Sequence, residues 1–201
     1  MKLGPKYKIA KRLGASVFEK TQGQKFALSV ERGAIKKRGR APSEFGKQLL
    51  EKQKVRISYG LTEKQFGNYV KKAMEAKGTS PAHALHEYLE MRLDNVIYRL
   101  GIAKTRRAAR QMVSHGHITV NGKKTTIHSQ RVYVGDVLSI REGSRESTMF
   151  VGLAERLMET PVSSWLSWNT KEMKGGVAHL PTAETASPAG DLSMVLSFYS
   201  R

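Results

Sequence analysis

No cysteine occurs among the 201 residues, so disulfides, thiolate zinc sites and cysteine nucleophiles are all closed to this chain. Carboxylates are scarce, with 17 Asp+Glu against 35 Lys+Arg and a formal charge of +18, unlike a generic acidic enzyme. No run approaches the roughly 18 consecutive apolar residues of a membrane span, and no Asn-x-Ser/Thr sequon is present. Neither GxGxxG nor GxxxxGK[ST] occurs, which removes dinucleotide and P-loop nucleotide sites. We therefore read a soluble, intracellular chain with no metal, cofactor or membrane partner. The basic start up to Phe18 lacks a targeting helix, because Gly4-Pro5 interrupts it.

The excess charge is localised. Residues 1–60 carry 16 basic and 4 acidic side chains, 61–90 carry 4 of each, 91–150 carry 11 and 4, and 151–201 carry 4 and 5. Two basic blocks around a neutral one point to surfaces that meet a polyanion, since +18 on a folded domain is self-repulsive unless a partner neutralises it. Hydrophobic residues make 39% of the chain, enough for a core beneath that charge.

Residues 1–42 show no sustained periodicity and include Lys36-Lys37-Arg38-Gly39-Arg40, which reads as a basic extended arm. Ser43 caps a helix running to about Gly60. Thr62 to Gln65 is a capping box before an amphipathic helix ending by Gly78. Ser80-Pro81 opens a helix whose apolar stripe continues to Leu100, with Gly101 as its stop. Thr105 caps TRRAARQMVSHG, with Ala108, Ala109, Met112 and Val113 inward and Arg106, Arg107, Arg110 and Gln111 left available. The period then changes to two. Asn121-Gly122 marks a hairpin between Ile118–Val120 and Lys123–Ile127, and further strands are expected at Arg131–Val134 and Val137–Arg141. Ser147 to Met158 is again helical in spacing, a strand-like stretch begins at Trp165, and Met194 to Arg201 is an apolar strand or packed tail.

The histidine pairs His83/His86 and His115/His117 lack the carboxylate neighbours of a metal site. Arg92-Leu93-Asp94 is also the triplet that pseudouridine synthases carry around their catalytic aspartate. Here Leu93 belongs to the apolar stripe, so Asp94 reads as a helix-surface carboxylate near Arg92 or Tyr98, and no catalytic residue is assigned. What remains is an arginine-rich helix face backed by a hairpin with adjacent lysines, suited to the phosphates of a structured nucleic acid. RNA is favoured over DNA, since no recognition-helix or zinc-finger pattern accompanies the charge.

The stretch RLDNVIYRLGIAKTRRAARQMVSHGHITVNGKK resembles the S4 RNA-binding domain family, and SEFGKQLLEKQKVRISYGLTEKQFGNYV, the early GPK and the final FYSR resemble the ribosomal protein S4 family. The resemblance implies an α+β fold: a discontinuous helical domain (43–90, completed by 175–201) and, over 91–174, an S4-type RNA-binding domain of helices on a small, mainly antiparallel sheet with the helix and strand that follow it. It implies a non-enzymatic constituent of the small ribosomal subunit, a primary rRNA binder that nucleates assembly of the subunit body and contributes to translational accuracy. The partners implied are small-subunit rRNA, neighbouring proteins including ribosomal protein S5, and messenger RNA where it enters, in the cytoplasmic ribosome of a bacterium. Stand-alone RNA chaperones and RNA-modifying enzymes share the domain and form the alternative. The RNA-binding positions fall on Arg92, Asn95, Thr105, Arg106, Arg107, Arg110, Gln111, Ser114, His115, His117, Asn121, Gly122, Lys123 and Lys124. The arm and first long helix add Lys6, Lys8, Lys11, Arg12, Lys47, Lys52, Lys54 and Arg56. Three departures stand out: Tyr7 and Ala10 replace the first zinc cysteines of many bacterial members, KKRGRAP replaces Gly-Gln-His-Gly, and the terminal stretch lacks Asn-Glu.

Overall fold

The computed structural model describes residues 3–32, 42–159, 162–170 and 172–200. The chain separates into two compact units, one comprising residues up to Leu85 together with those from Pro188 onward, the other running from His86 to Ser187.

In the first unit, the region expected as an extended arm contains helices α1 (Lys6–Leu13) and α2 (Gln24–Arg32), joined by short 3-10 turns. Ala10, Val17, Phe18 and Phe26 bury with Ile57 into a small core, and Tyr7 meets Phe26 edge-on. The sequence pattern hid these helices because Gly14 and Gly23 cut it into pieces too short to show a period. The Lys36–Arg40 run lies outside the described residues. Helix α3 (Glu44–Ser58) is capped by Ser43, whose hydroxyl accepts from the Gly46 amide. Helix α4 (Glu63–Met74) opens on the Thr62/Gln65 capping box.

Helix α5 (Pro81–Glu90) is followed by α6 (Leu93–Arg99), not continued to Leu100 as one helix. Arg92 is extended (φ −74°, ψ 138°), the Leu93 and Asp94 amides donate to the Gln130 and His128 carbonyls, and the Val132 amide donates to Met91. The apolar spacing runs through the break because α6 buries Leu93, Val96 and Ile97 in the second unit's core, beside Met91 of the break. Helix α7 (Arg106–Ser114) is capped by the Thr105 hydroxyl, 3.1 Å from the Ala108 amide.

Strands β1 (Ile118–Val120) and β2 (Lys123–Lys124) form the hairpin, with positive φ at both Asn121 (51°) and Gly122 (77°), as a type I′ turn demands. Strand β3 (Val137–Ile140) pairs with β1. Of the expected strand at 131–134, only Arg131 pairs, in one bridge to Arg92. After α8 (Leu153–Glu159), strands β4 (Leu166–Asn169) and β5 (Lys174–Val177) complete an antiparallel sheet in the order β2-β1-β3-β5-β4. Gly175 and Gly176 permit this packing, since a Cβ there would sit 2.5 Å from the Ser167 carbonyl oxygen and 2.4 Å from that of Asp136 respectively. The α+β class is as expected.

Because β5 pairs with β3, the segment that rejoins the first unit begins at Pro188, not at 175. It ends in a helix, α9 (Leu192–Tyr199), where an apolar strand or packed tail was the expectation. Asp191 caps it through the Met194 amide (3.0 Å), and Leu192 and Val195 are buried one helical turn apart.

Candidate nucleic-acid interface

The interface is built on a buried carboxylate. Asp94, in the first turn of α6, is 3% exposed and is not the surface group the sequence suggested. Arg92 donates from Nε to Oδ1 (3.0 Å) and from Nη2 to Oδ2 (2.8 Å), and Arg110 of α7 donates from Nε and Nη2 to Oδ2 (3.0 and 2.8 Å). His128 Nδ1 lies 3.4 Å from Oδ2. Burial opposes ionisation, but the His128 and Arg92 hydrogen bonds and the charges of Arg92 and Arg110 outweigh it, holding this carboxyl well below the usual range.

A second buried carboxylate, Glu90, receives Arg99 at 2.8 and 3.0 Å and the Asn95 amide at 2.7 Å. Asn95 Oδ1 in turn accepts from Arg106 Nε (2.8 Å), whose guanidinium lies 4.4 Å from the Tyr98 ring centre. Helix α7 is thus fastened to α6 by two arginines of its own, Arg106 through Nε to Asn95 Oδ1 and Arg110 through Nε and Nη2 to Asp94 Oδ2. The two attachments lie one helical turn apart on α7, so together they restrain its rotation as well as its position.

This arrangement divides the predicted residues. Arg92 and Asn95, each 2% exposed, are interior groups spent on the carboxylates; they are removed from the RNA-facing set. Arg106 and Arg110 are half-buried and anchored, while Thr105 serves as the cap. Arg107, Gln111, Ser114 and His115 are exposed on α7 and its C-terminal end, and Asn121, Gly122, Lys123 and Lys124 are exposed on the hairpin. His117 turns inward, with Nδ1 3.0 Å from Ser144 Oγ and its ring against Phe150. Among the described residues Arg107, Lys123 and Lys124 have no ion-pair partner. Lys104, also exposed, precedes the α7 cap; its cationic type next to Arg106 and Arg107 was the signal that could have found it.

Helix and hairpin meet at Gly116, which has φ +75°. A Cβ at this position would lie 2.2 Å from Lys124 Cε, so the lysine stem runs across the glycine at the end of α7. The absence of a side chain at 116 brings a hairpin cation to the helix that carries Arg107.

In the first unit Lys8, Lys11 and Arg12 are exposed on α1, with Lys11 Nζ donating to the Ser29 carbonyl. Lys6 is half-buried over the Phe18 ring. Lys47 and Lys54 pair with Glu44 and Glu51 one turn away. Lys52 and Arg56 are structural: Lys52, 6% exposed, donates to Glu63 (2.6 Å) and lies 4.4 Å from the Phe198 ring centre, and Arg56 Nε is 3.2 Å from Glu63. Glu63 also accepts from the Tyr199 hydroxyl (3.0 Å), which ties α9 to α4. Partial burial raises the Glu63 pKa, but the Lys52 and Tyr199 hydrogen bonds and the Lys52 and Arg56 charges leave it below the ordinary value.

An α7 face and hairpin tip displaying cations beside a helix pair pinned by two buried carboxylates fit an S4-type RNA-binding module within the second unit. Residues 91–138 match the S4 domain family, and residues 2–90 match the ribosomal protein S4/S9 N-terminal domain. The chain is 42% identical to small ribosomal subunit protein uS4 of Roseiflexus castenholzii over 203 residues, covering 99% of this chain and 98% of that one. Similarity to uS4 of Amoebophilus asiaticus (40%; 99% and 98% covered) and of Lactiplantibacillus plantarum (39%; 98% and 97%) is comparably complete. The chain belongs to the small ribosomal subunit protein uS4 family.

Proposed function

We propose that the chain is a structural constituent of the small ribosomal subunit and binds its rRNA, without enzymatic activity. The observation that carries this reading is the division of the cations: Arg106 and Arg110 hold α7 in place, while Arg107, Lys123 and Lys124 remain exposed and uncompensated among the described residues. Preset cations release counterions from RNA phosphates without first leaving a carboxylate, and a rigid array selects RNA by the spacing of its backbone. Asp94 supports the absence of catalysis, because its oxygens are occupied by two guanidinium groups and its surroundings favour a permanently charged, buried state.

On this reading the chain is a primary rRNA binder that nucleates assembly of the subunit body and, as a rigid part of that body, contributes to translational accuracy. Neighbouring ribosomal proteins, among them ribosomal protein S5, and messenger RNA where it enters the subunit complete its contacts, in the cytoplasmic ribosome of a bacterium. Support for the bacterial setting comes from the bacterial sources of the uS4 relatives. The test is salt-dependent binding to the 5′ domain of small-subunit rRNA, with duplex DNA and transfer RNA of equal length as competitors. Tight binding that survives both competitors is expected. Equal affinity for all three would leave only nonspecific charge attraction and overturn the reading.

A further inference from the structure

Beside the hairpin lies a recess of about 490 Å³ whose walls include Lys123, Lys124, Thr126, Ile127 and Gln130. Its size is in the range of small-ligand clefts, and none of its described lining residues is acidic. Its floor is fixed: the Thr125 hydroxyl donates to Gln130 Oε1 (2.8 Å), and the Gln130 amide N–H donates to the Ile127 carbonyl (3.0 Å). That arrangement leaves the Gln130 side-chain nitrogen without a partner among the described residues. Ile127 is 62% exposed, so its apolar side chain is available to a ligand in the recess. The next residue, His128, lies 3.4 Å from the carboxylate that anchors Arg110.

We propose that this recess receives a single unpaired nucleotide of the bound RNA, with its phosphate beside Lys123 and Lys124, its base against Ile127, and a base-edge acceptor facing the Gln130 side-chain amide. The inference rests on the RNA-binding reading and adds to it: the face holds backbone by charge, and the recess holds one splayed base by shape. Unpaired nucleotides are the part of a folded RNA that offers a free base face and a free hydrogen-bonding edge. A cavity with two uncompensated cations, an apolar wall and an amide donor matches phosphate, base face and base edge in turn. An acidic peptide would use the lysines but leave the Ile127 wall unused.

The full chain, labelled with carbon-13 at isoleucine methyls, is titrated with adenosine and uridine 5′-monophosphates and, separately, with ribose 5-phosphate and a glutamate oligomer. The Ile127 methyl is expected to shift saturably with at least one nucleotide and not with ribose 5-phosphate, while buried Ile97, Ile118 and Ile140 stay unmoved. Ile127→Ala is expected to weaken binding to the 5′-domain rRNA roughly tenfold with the salt slope unchanged, because an apolar base contact releases no counterions. An Ile127 methyl that ignores both nucleotides, responds equally to ribose 5-phosphate, or responds only to the glutamate oligomer overturns the proposal, as does wild-type affinity in Ile127→Ala. The nucleotide titration requires no rRNA, so failure of the wild-type chain to bind rRNA would be a separate result, counting against the functional reading itself.

Discussion

Asp94 and Arg107 lie within one short stretch of chain, yet a substitution at each does something different. Asp94→Asn leaves Arg92, 3% exposed along its side chain, without its counter-charge, and is expected to cost about 3–5 kcal/mol of stability in denaturant unfolding. The pH dependence has a definite sign. The folded-state pKa is depressed below the ordinary 3.8 of an aspartate, so the stabilisation is complete above about pH 5, declines as pH falls below the unfolded value and is gone once the folded-state value is passed. Unfolding measured from pH 6 down to pH 2.5 should show a steeper acid loss in the wild type than in Asp94→Asn. At the surface, Arg107→Ala with Lys123→Ala should leave the unfolding midpoint in place while lowering RNA affinity, and the slope of log affinity against log salt should fall by about 1.4–1.8 for two lost phosphate contacts. An unchanged slope would remove these two residues from the interface. Arg106 and Arg110 are poor choices for that experiment, because each also holds α7 to α6.

Between elements, the decisive junctions are a glycine and a tyrosine. Gly116→Ala forces a Cβ into a φ +75° backbone and against the Lys124 stem. We expect a loss of about 1–2 kcal/mol in stability and, through displacement of Lys124, weaker rRNA binding; Gly116→Ala combined with Lys124→Ala should recover part of the stability but not the binding. A double-mutant cycle reads both. In the helical unit, Tyr199→Phe removes the hydroxyl that donates to Glu63 and is expected to cost about 1 kcal/mol, measured by thermal unfolding.

For the molecule as a whole, +18 on 201 residues is expected to draw much of the binding free energy from counterion release, while selectivity for RNA shape is expected from the spacing of a few fixed cations. Two compact units divide that charge. Exposed Lys8, Lys11 and Arg12 sit in one and Arg107, Lys123 and Lys124 in the other. A chain whose units each carry cations gains from binding both to one RNA, because the second contact is made at high effective concentration. Removing the α1 cations together (Lys8, Lys11 and Arg12 to Ala) should therefore lower affinity and salt slope for the 5′-domain rRNA while leaving the Asp94 network and its acid-stability profile untouched.

Local grammar determined much of this protein. The caps at Ser43, Thr62 and Thr105, the Asn121-Gly122 turn and the basic character of α7 were legible because each depends on neighbours within four residues. Composition determined the polyanionic partner. Tertiary structure decided the rest. The helix break at Arg92 exists because residues 128–132 arrive from far along the chain to take its backbone bonds, and apolar spacing continues across it. The helices before residue 42 form because Ile57 completes their core. Which arginines stay exposed was decided by where two carboxylates, Glu90 and Asp94, were buried: a charge count weighs every arginine alike, whereas a desolvated carboxylate claims the nearest guanidinium groups for the interior and leaves the remainder at the surface.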